Sequence, residues 1–176
     1  MKKFRFLLLD AGPIIKLFEL GIWDEFISRC DVTVCRTVAE EARWASQEFE
    51  DVCIDVESCG KEGRIHVVDV EVSAAKAFFD RFDFSYKAAL HDGEKETLAF
   101  LDSSPEPWRV CSSDAAVFRV LGLLGKAEVG VFLEEVLRQI GFGRSLEWKY
   151  SEQFRSKYTS SGQTDAVLGK GRADTS

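Results

Sequence analysis

The chain has 176 residues, 45% of them hydrophobic, and a formal net charge of −7, which supplies the core of one full-sized domain and leaves too little length for two. An acidic balance gives no overall basic footprint for nucleic acid, and no apolar run approaches the ~20 residues of a membrane span. Asp10 also interrupts FRFLLLDAG before a signal-peptide core could form, so the sequence reads as that of a soluble, cytoplasmic protein.

The charge is uneven. Residues 144–176 carry six Lys or Arg and four Asp or Glu, a balance of +2 against −9 for the rest. Cys30, Cys35, Cys53, Cys59 and Cys111 lack CxxC or Cys/His spacing and read as buried reduced thiols.

Phe4 to Leu9 is too apolar for a strand with one wet face and predicts a central strand of a parallel sheet covered on both sides. Asp10 ends it. Gly12 permits a sharp exit, Pro13 suits a first helical turn, and Ile14, Ile15, Leu17 and Phe18 give the following helix an apolar side. Asp10 has two readings, a cap of that helix or a site residue at the carboxyl end of a strand, where ligands of open α/β sheets collect.

After Gly21, IWDEFISRC predicts a short helix and DVTVC a strand. Thr37 and Glu40 have capping-box spacing at the head of a helix expected to run to about Phe49, on which Glu41 shares the apolar side of Val38, Ala42 and Ala45. Residues 50–63 read as a helix end and loop. RIHVVDVEV predicts a strand, His66 within it a hydrogen-bonded residue and no ligand. A helix begins near Ser73, and Phe82 and Phe84 read as packing material.

HDGEKETLAFL predicts a helix capped by Asp92, with Glu94 and Glu96 in its first turn. Glu94 lies one turn below Leu98 and two below Leu101, on the inward stripe, and His91 reads as a surface histidine. Arg109 to Cys111 is a further strand, after which Asp114 heads the stripe Val117, Phe118, Leu121. A small strand near Lys126–Glu128 and an amphipathic helix in VFLEEVLRQIGF close the domain. SLEWKYSEQFRSKY interleaves aromatics with Lys149, Arg155 and Lys157, which fits either base stacking with phosphate neutralisation or an amphipathic covering helix. From Thr159 the composition predicts disorder.

Asp10, Glu41, Glu94 and Asp114 therefore share one address, the sheet-facing side of a strand end or first helical turn. Four converging acids repel one another unless cations lie between them. Mg²⁺ or Mn²⁺, held by carboxylate oxygens, would orient and acidify a water for attack on a phosphodiester.

LLLDAGPII, TVAEEA, GEKETLAF and SSDAAVF, in this order and spacing between Phe4 and Phe142, resemble the motifs of the PIN-domain family, the third in the GExE form of one branch. The resemblance implies a three-layer α/β/α sandwich over residues 1–143, to which the composition of the remaining chain adds a C-terminal helical extension over 144–158 and a disordered tail over 159–176. It implies a Mg²⁺- or Mn²⁺-dependent endoribonuclease, with RNA as substrate, often the toxin partnered by a protein antitoxin in a VapC-type pair, and homodimeric. It assigns catalysis to Asp10, Glu41, Glu94 and Asp114, and the metal to these four with Glu96. The chain departs from the family in having Ala116 two residues after the last Asp, where many members place another acid, and Ala127–Glu128 where a Gly-Thr pair is frequent. Glu128 is either a substitute for the missing acid or simply an exposed residue. The competing readings are a non-catalytic module that binds RNA or protein, and a small-molecule phosphohydrolase, for which Gly12 stands where a second Asp is required.

Overall fold

A computed structural model describes residues 4–47 and 50–174. In chain order the first half comprises β1 (Phe4–Leu9), α1 (Ala11–Glu19), α2 (Trp23–Arg29), β2 (Cys30–Cys35), α3 (Arg36–Glu41), β3 (Trp44–Gln47), β4 (Glu50–Cys53), α4 (Val56–Lys61) and β5 (His66–Val68). The second comprises α5 (Val72–Phe79), α6 (Phe84–Ala88), α7 (Asp92–Ser103), β6 (Arg109–Cys111), α8 (Ala115–Leu123), β7 (Gly130–Val131), α9 (Leu133–Gln139) and α10 (Glu152–Val167).

A five-stranded sheet runs in the order β5-β2-β1-β6-β7, with every pairing parallel. β1 is its centre. Leu7, Leu8 and Leu9 are wholly buried, and they alternate between layers: Leu7 and Leu9 join Ile14, Leu17, Phe26 and Leu137, whereas Leu8 joins Leu98, Phe118, Leu121 and Phe154. The period of two sends neighbouring side chains to opposite faces, so both faces of the apolar run are covered by helices. The result is the expected three-layer α/β/α sandwich. Each such Leu contributes about 1.5–3 kcal/mol by leaving water.

Register places the site. Leu9 pairs with Cys111, so the next residues, Asp10 and Ser112, leave the sheet side by side. The Asp10 amide still donates to the Cys111 carbonyl at 3.1 Å.

Several expectations are corrected. The helix expected to reach Phe49 stops at Glu41: Ala42 leaves helical geometry (φ −80°, ψ 73°) and the chain enters the antiparallel β3–β4 hairpin. Arg43 Nε caps the ending by donating to the Glu40 carbonyl at 2.5 Å; Phe49 itself lies outside the described residues. The expected Thr37 capping box is absent, because the Thr37 amide donates instead to the Glu96 carboxylate of α7 at 3.1 Å. Phe84 is not packing material, being 84% exposed.

The expected tail is a helix. α10 continues through residues 159–167, capped by Ser151, whose hydroxyl accepts from the Phe154 amide. Small residues let it approach α8 closely: a Cβ on Gly162 would lie 1.9 Å from the Arg119 carbonyl oxygen, and one on Gly122 2.1 Å from that of Thr159. Arg119 then pairs with Asp165 at 2.7 Å, and Asp165 also accepts from the Tyr86 hydroxyl at 2.6 Å. Beyond it, Ala173 donates to the Arg81 carbonyl at 3.0 Å. Thr175 and Ser176 lie outside the described residues.

Backbone faces backbone at this crossing, so neither side can yield. Gly162→Ala is expected to destabilise the protein by about 1–3 kcal/mol despite Ala's better helix propensity, with faster amide hydrogen exchange in α10 than elsewhere.

Candidate active site

The strand ends and helix starts at the carboxyl edge of the sheet enclose a cavity of about 360 Å³. Its walls include Asp10, Glu41, Glu94 and Asp114, together with Gly12, His91, Ser113 and Lys149. All four acids of the sequence reading therefore meet. A larger cavity of about 570 Å³ lies elsewhere, between α6 and residues 169–174; its Tyr86, Arg119 and Asp165 are already joined to one another.

Asp10 is the innermost, 4% exposed. It does act as the cap of α1, its Oδ1 accepting from the Ala11 amide at 2.8 Å, but its Oδ2 accepts from the buried Ser112 hydroxyl at 2.7 Å. Ser112 Oγ in turn accepts from the Asp114 amide at 3.0 Å. One hydroxyl thus ties the two aspartates together, a role not read from the sequence, where Ser112 is only a strand exit. Asp114 caps α8, its Oδ1 accepting from the Ala116 amide at 2.6 Å.

Gly12 serves a different purpose from the sharp exit expected of it. It lies within α1 without a positive φ, but a Cβ there would fall 2.0 Å from Ser113 Oγ. Absence of a side chain lets the β1 and β6 loops touch.

Glu94 and Glu41 come from facing helix ends. The N-cap of α7 is His91, not Asp92, and Glu94 closes a capping box by accepting from the His91 amide at 2.9 Å. That contact takes one carboxylate oxygen and leaves the group, 7% exposed, on the cavity wall. Glu41 is exposed, and its Oε1 accepts from the Gly93 amide at 3.1 Å. A Cβ on Gly93 would lie 2.6 Å from Glu41 Oε2, so this glycine makes room for the carboxylate.

The electrostatics follow from this crowding. Burial pushes the Asp10 carboxyl up to about 6, against the lowering pull of Ser112 and Ala11, and the charges of Asp114 and Glu41 add to the rise. Burial likewise raises Glu94, with Asp10 and Asp114 repelling its charge and a side-chain hydrogen bond to Asp114 favouring its protonated form. A hydrogen bond between two carboxyl groups requires one proton. Burial and mutual repulsion thus favour keeping part of this edge protonated.

Two assignments separate from the cluster. Glu96 does not line the cavity; it caps α3 through Thr37 and borders an apolar groove formed by Val70, Val72, Ala75 and Phe79. Glu128 is exposed in a 3₁₀ turn before β7, outside the cavity, so it does not replace the acid absent at Ala116. His91, read as a surface residue, lines the cavity although exposed. His66 is exposed and faces Asp31 at 3.5 Å.

The donor set suits a hard divalent cation in kind, since carboxylate oxygens converge on one cavity. As the side chains stand, no three or more His, Cys, Asp or Glu among the described residues are spaced to hold a metal ion. No described helix is long and apolar enough to cross a membrane. No family model, curated protein or solved structure matches the chain.

The raised Asp10 carboxyl has a consequence for stability. Its proton is bound more tightly in the folded than in the unfolded chain, so folding loses free energy as pH rises from about 4 through about 6. In EDTA at pH 8, Asp10→Asn is expected to be more stable than the wild type, by at most about 3 kcal/mol, and this advantage should close by pH 4. Urea denaturation at the two pH values measures it.

Proposed function

We propose that the protein is a metal-dependent endoribonuclease of the PIN-domain type. The observation that carries this reading is the meeting of Asp10, Glu41, Glu94 and Asp114, from four separate segments, in one cavity at the carboxyl edge of a parallel sheet. Caps alone account for each acid singly. They do not account for a buried aspartate facing other carboxylates across a space large enough for ligands.

In this proposal Mg²⁺ or Mn²⁺ is held by Asp10, Asp114 and Glu94, with Glu41 at the outer wall, and Glu96 is withdrawn from the ligand set to its capping role. A cation of this kind supplies an acidified water and neutralises charge on the phosphodiester. The protein's own part is to hold Asp10 and Asp114 in fixed relation through Ser112, and to keep Glu94 aimed inward through its bond to the His91 amide. The same resemblance extends the proposal to a cytoplasmic toxin countered by a protein antitoxin, acting as a homodimer.

A second reading, a non-catalytic module that binds RNA or protein, is favoured by one specific observation: Ala116 removes an acid, and Glu128 does not restore it. The two readings part on turnover. With a labelled RNA pool and Mn²⁺, the wild type is expected to cleave and EDTA to stop it, while Asp10→Asn and Asp114→Asn lose roughly 100-fold or more in rate with the fold retained by circular dichroism. Full cleavage by either folded variant contradicts the nuclease reading.

A further inference from the structure

Lys149 lines the acidic cavity, yet it belongs to none of the loops at the sheet edge that carry the acids. It stands in a 3₁₀ turn, Trp148–Tyr150, ahead of α10. That turn is fastened on both sides. Glu147 pairs with Lys16 of α1 at 2.6 Å, and Tyr150, 3% exposed, donates its hydroxyl to the Gly12 carbonyl at 3.3 Å. Tyr150 also lies close enough to Ser113 for that side chain to act on its hydroxyl. Gly12 follows Asp10 by two residues and Ser113 precedes Asp114, so the turn bearing Lys149 is keyed to both aspartate loops.

Lys149 does not neutralise the cluster by direct pairing. It makes no ion pair among the described residues, and its ammonium lies 5.2 Å from the centre of the Tyr150 ring. A lysine brought to an acidic cavity but left unpaired with its acids is suited to a ligand that carries negative charge into that cavity. A phosphodiester drawn to a cation held there is such a ligand.

The neighbouring residue narrows the class. Trp148 is 52% exposed, unusual for so large an apolar side chain, and the Lys157 ammonium lies 5.3 Å from its ring. Phe154 meets Trp148 edge to face at 5.0 Å and Tyr158 lies at 6.2 Å, so the half-exposed indole is braced by two aromatic neighbours. A braced aromatic surface beside lysines is how single strands are held, with bases stacking and phosphates neutralised. Arg155, the other cation of this stretch, is not available: its guanidinium donates to the carbonyls of Gly130 and Ala127 at 2.6 and 2.9 Å.

We infer that the turn at residues 147–150 is the substrate-binding arm of this site, Lys149 contacting the phosphate placed over the acids and Trp148 stacking on an unpaired flanking base. This rests on the ribonuclease reading for the identity of the site, but its contacts are separate from the carboxylates. Lys149 and Trp148 thereby position the substrate, and they select single-stranded over duplex RNA.

The test uses the full chain and a fluorescein-labelled single-stranded RNA oligonucleotide, with Ca²⁺ in place of Mn²⁺, followed by anisotropy over a range of salt. Lys149→Gln is expected to weaken binding about tenfold and to lower the slope of log K against log salt by about 0.7, the loss of one phosphate contact. Trp148→Ala should weaken binding by about tenfold, and the preference for single strand over a matched duplex should shrink with it. Lys149→Arg should restore binding, and Lys170→Gln, on the distant cavity, should change nothing. Wild-type affinity and salt slope in both Lys149→Gln and Trp148→Ala overturn the inference, whether or not the wild type cleaves RNA; so does a wild type that does not bind the oligonucleotide. Binding with the expected pattern but no metal-dependent cleavage upholds the arm and overturns the nuclease reading.

Discussion

Asp10 is an ionisable group held almost out of water at the end of the central strand, with other carboxylates facing it. Isolated burial of this kind is among the costliest things a fold can contain. The structure around it is arranged to tolerate it: a hydroxyl and an amide bond its two oxygens, and the neighbouring Glu94 is pushed towards its neutral form by burial and by the acids around it. These contacts reduce the repulsion without removing it. The remaining repulsion is the physical reason for proposing an all-oxygen site for a hard cation where each acid also serves as a helix cap or accepts a helix-end amide.

Glycines set the geometry as firmly as the acids do. Gly12 allows the two aspartate loops to touch through Ser113, and Gly93 admits the Glu41 carboxylate to the start of α7. Farther out, Gly122 and Gly162 bring α8 and α10 into backbone contact. That contact and the Glu147–Lys16 pair anchor the C-terminal segment at both ends of its course over the body. Through this docking, a segment distant in sequence brings Lys149 to the lining of the acidic cavity.

Much of this was legible in the residues because hydrophobic periodicity reports burial directly. The unbroken FLLL run of β1 could be satisfied only by cover on both faces, and the inward stripes of Glu94 and Asp114 placed both acids on the cavity. What stayed illegible depends on long-range partners. Thr37 and Glu40 have the spacing of a capping box, but Glu96 from α7 takes the Thr37 amide, and this is also why Glu96 is lost to the site. SSGQT reads as loop by composition, since small residues resemble linker until a second helix is found lying against them; with Arg119 and Tyr86 holding Asp165, the same residues form a close crossing. Ser112 offered no periodic signal at all. Its role exists only because Leu9 and Cys111 are in register and bring it beside Asp10.

Cation occupancy of the acidic cavity decides the account most directly. Mn²⁺ would be titrated by calorimetry at pH 7 in buffers of different ionisation enthalpy, into the wild type and into a folded Glu94→Gln, Asp114→Asn double variant. Saturable binding by the wild type is expected, accompanied by proton release as the carboxyl proton held by Glu94 is displaced, and loss of that binding in the double variant. A well-folded wild type that takes up no Mn²⁺ and releases no proton would contradict it, and would leave the acids as caps and repelling charge.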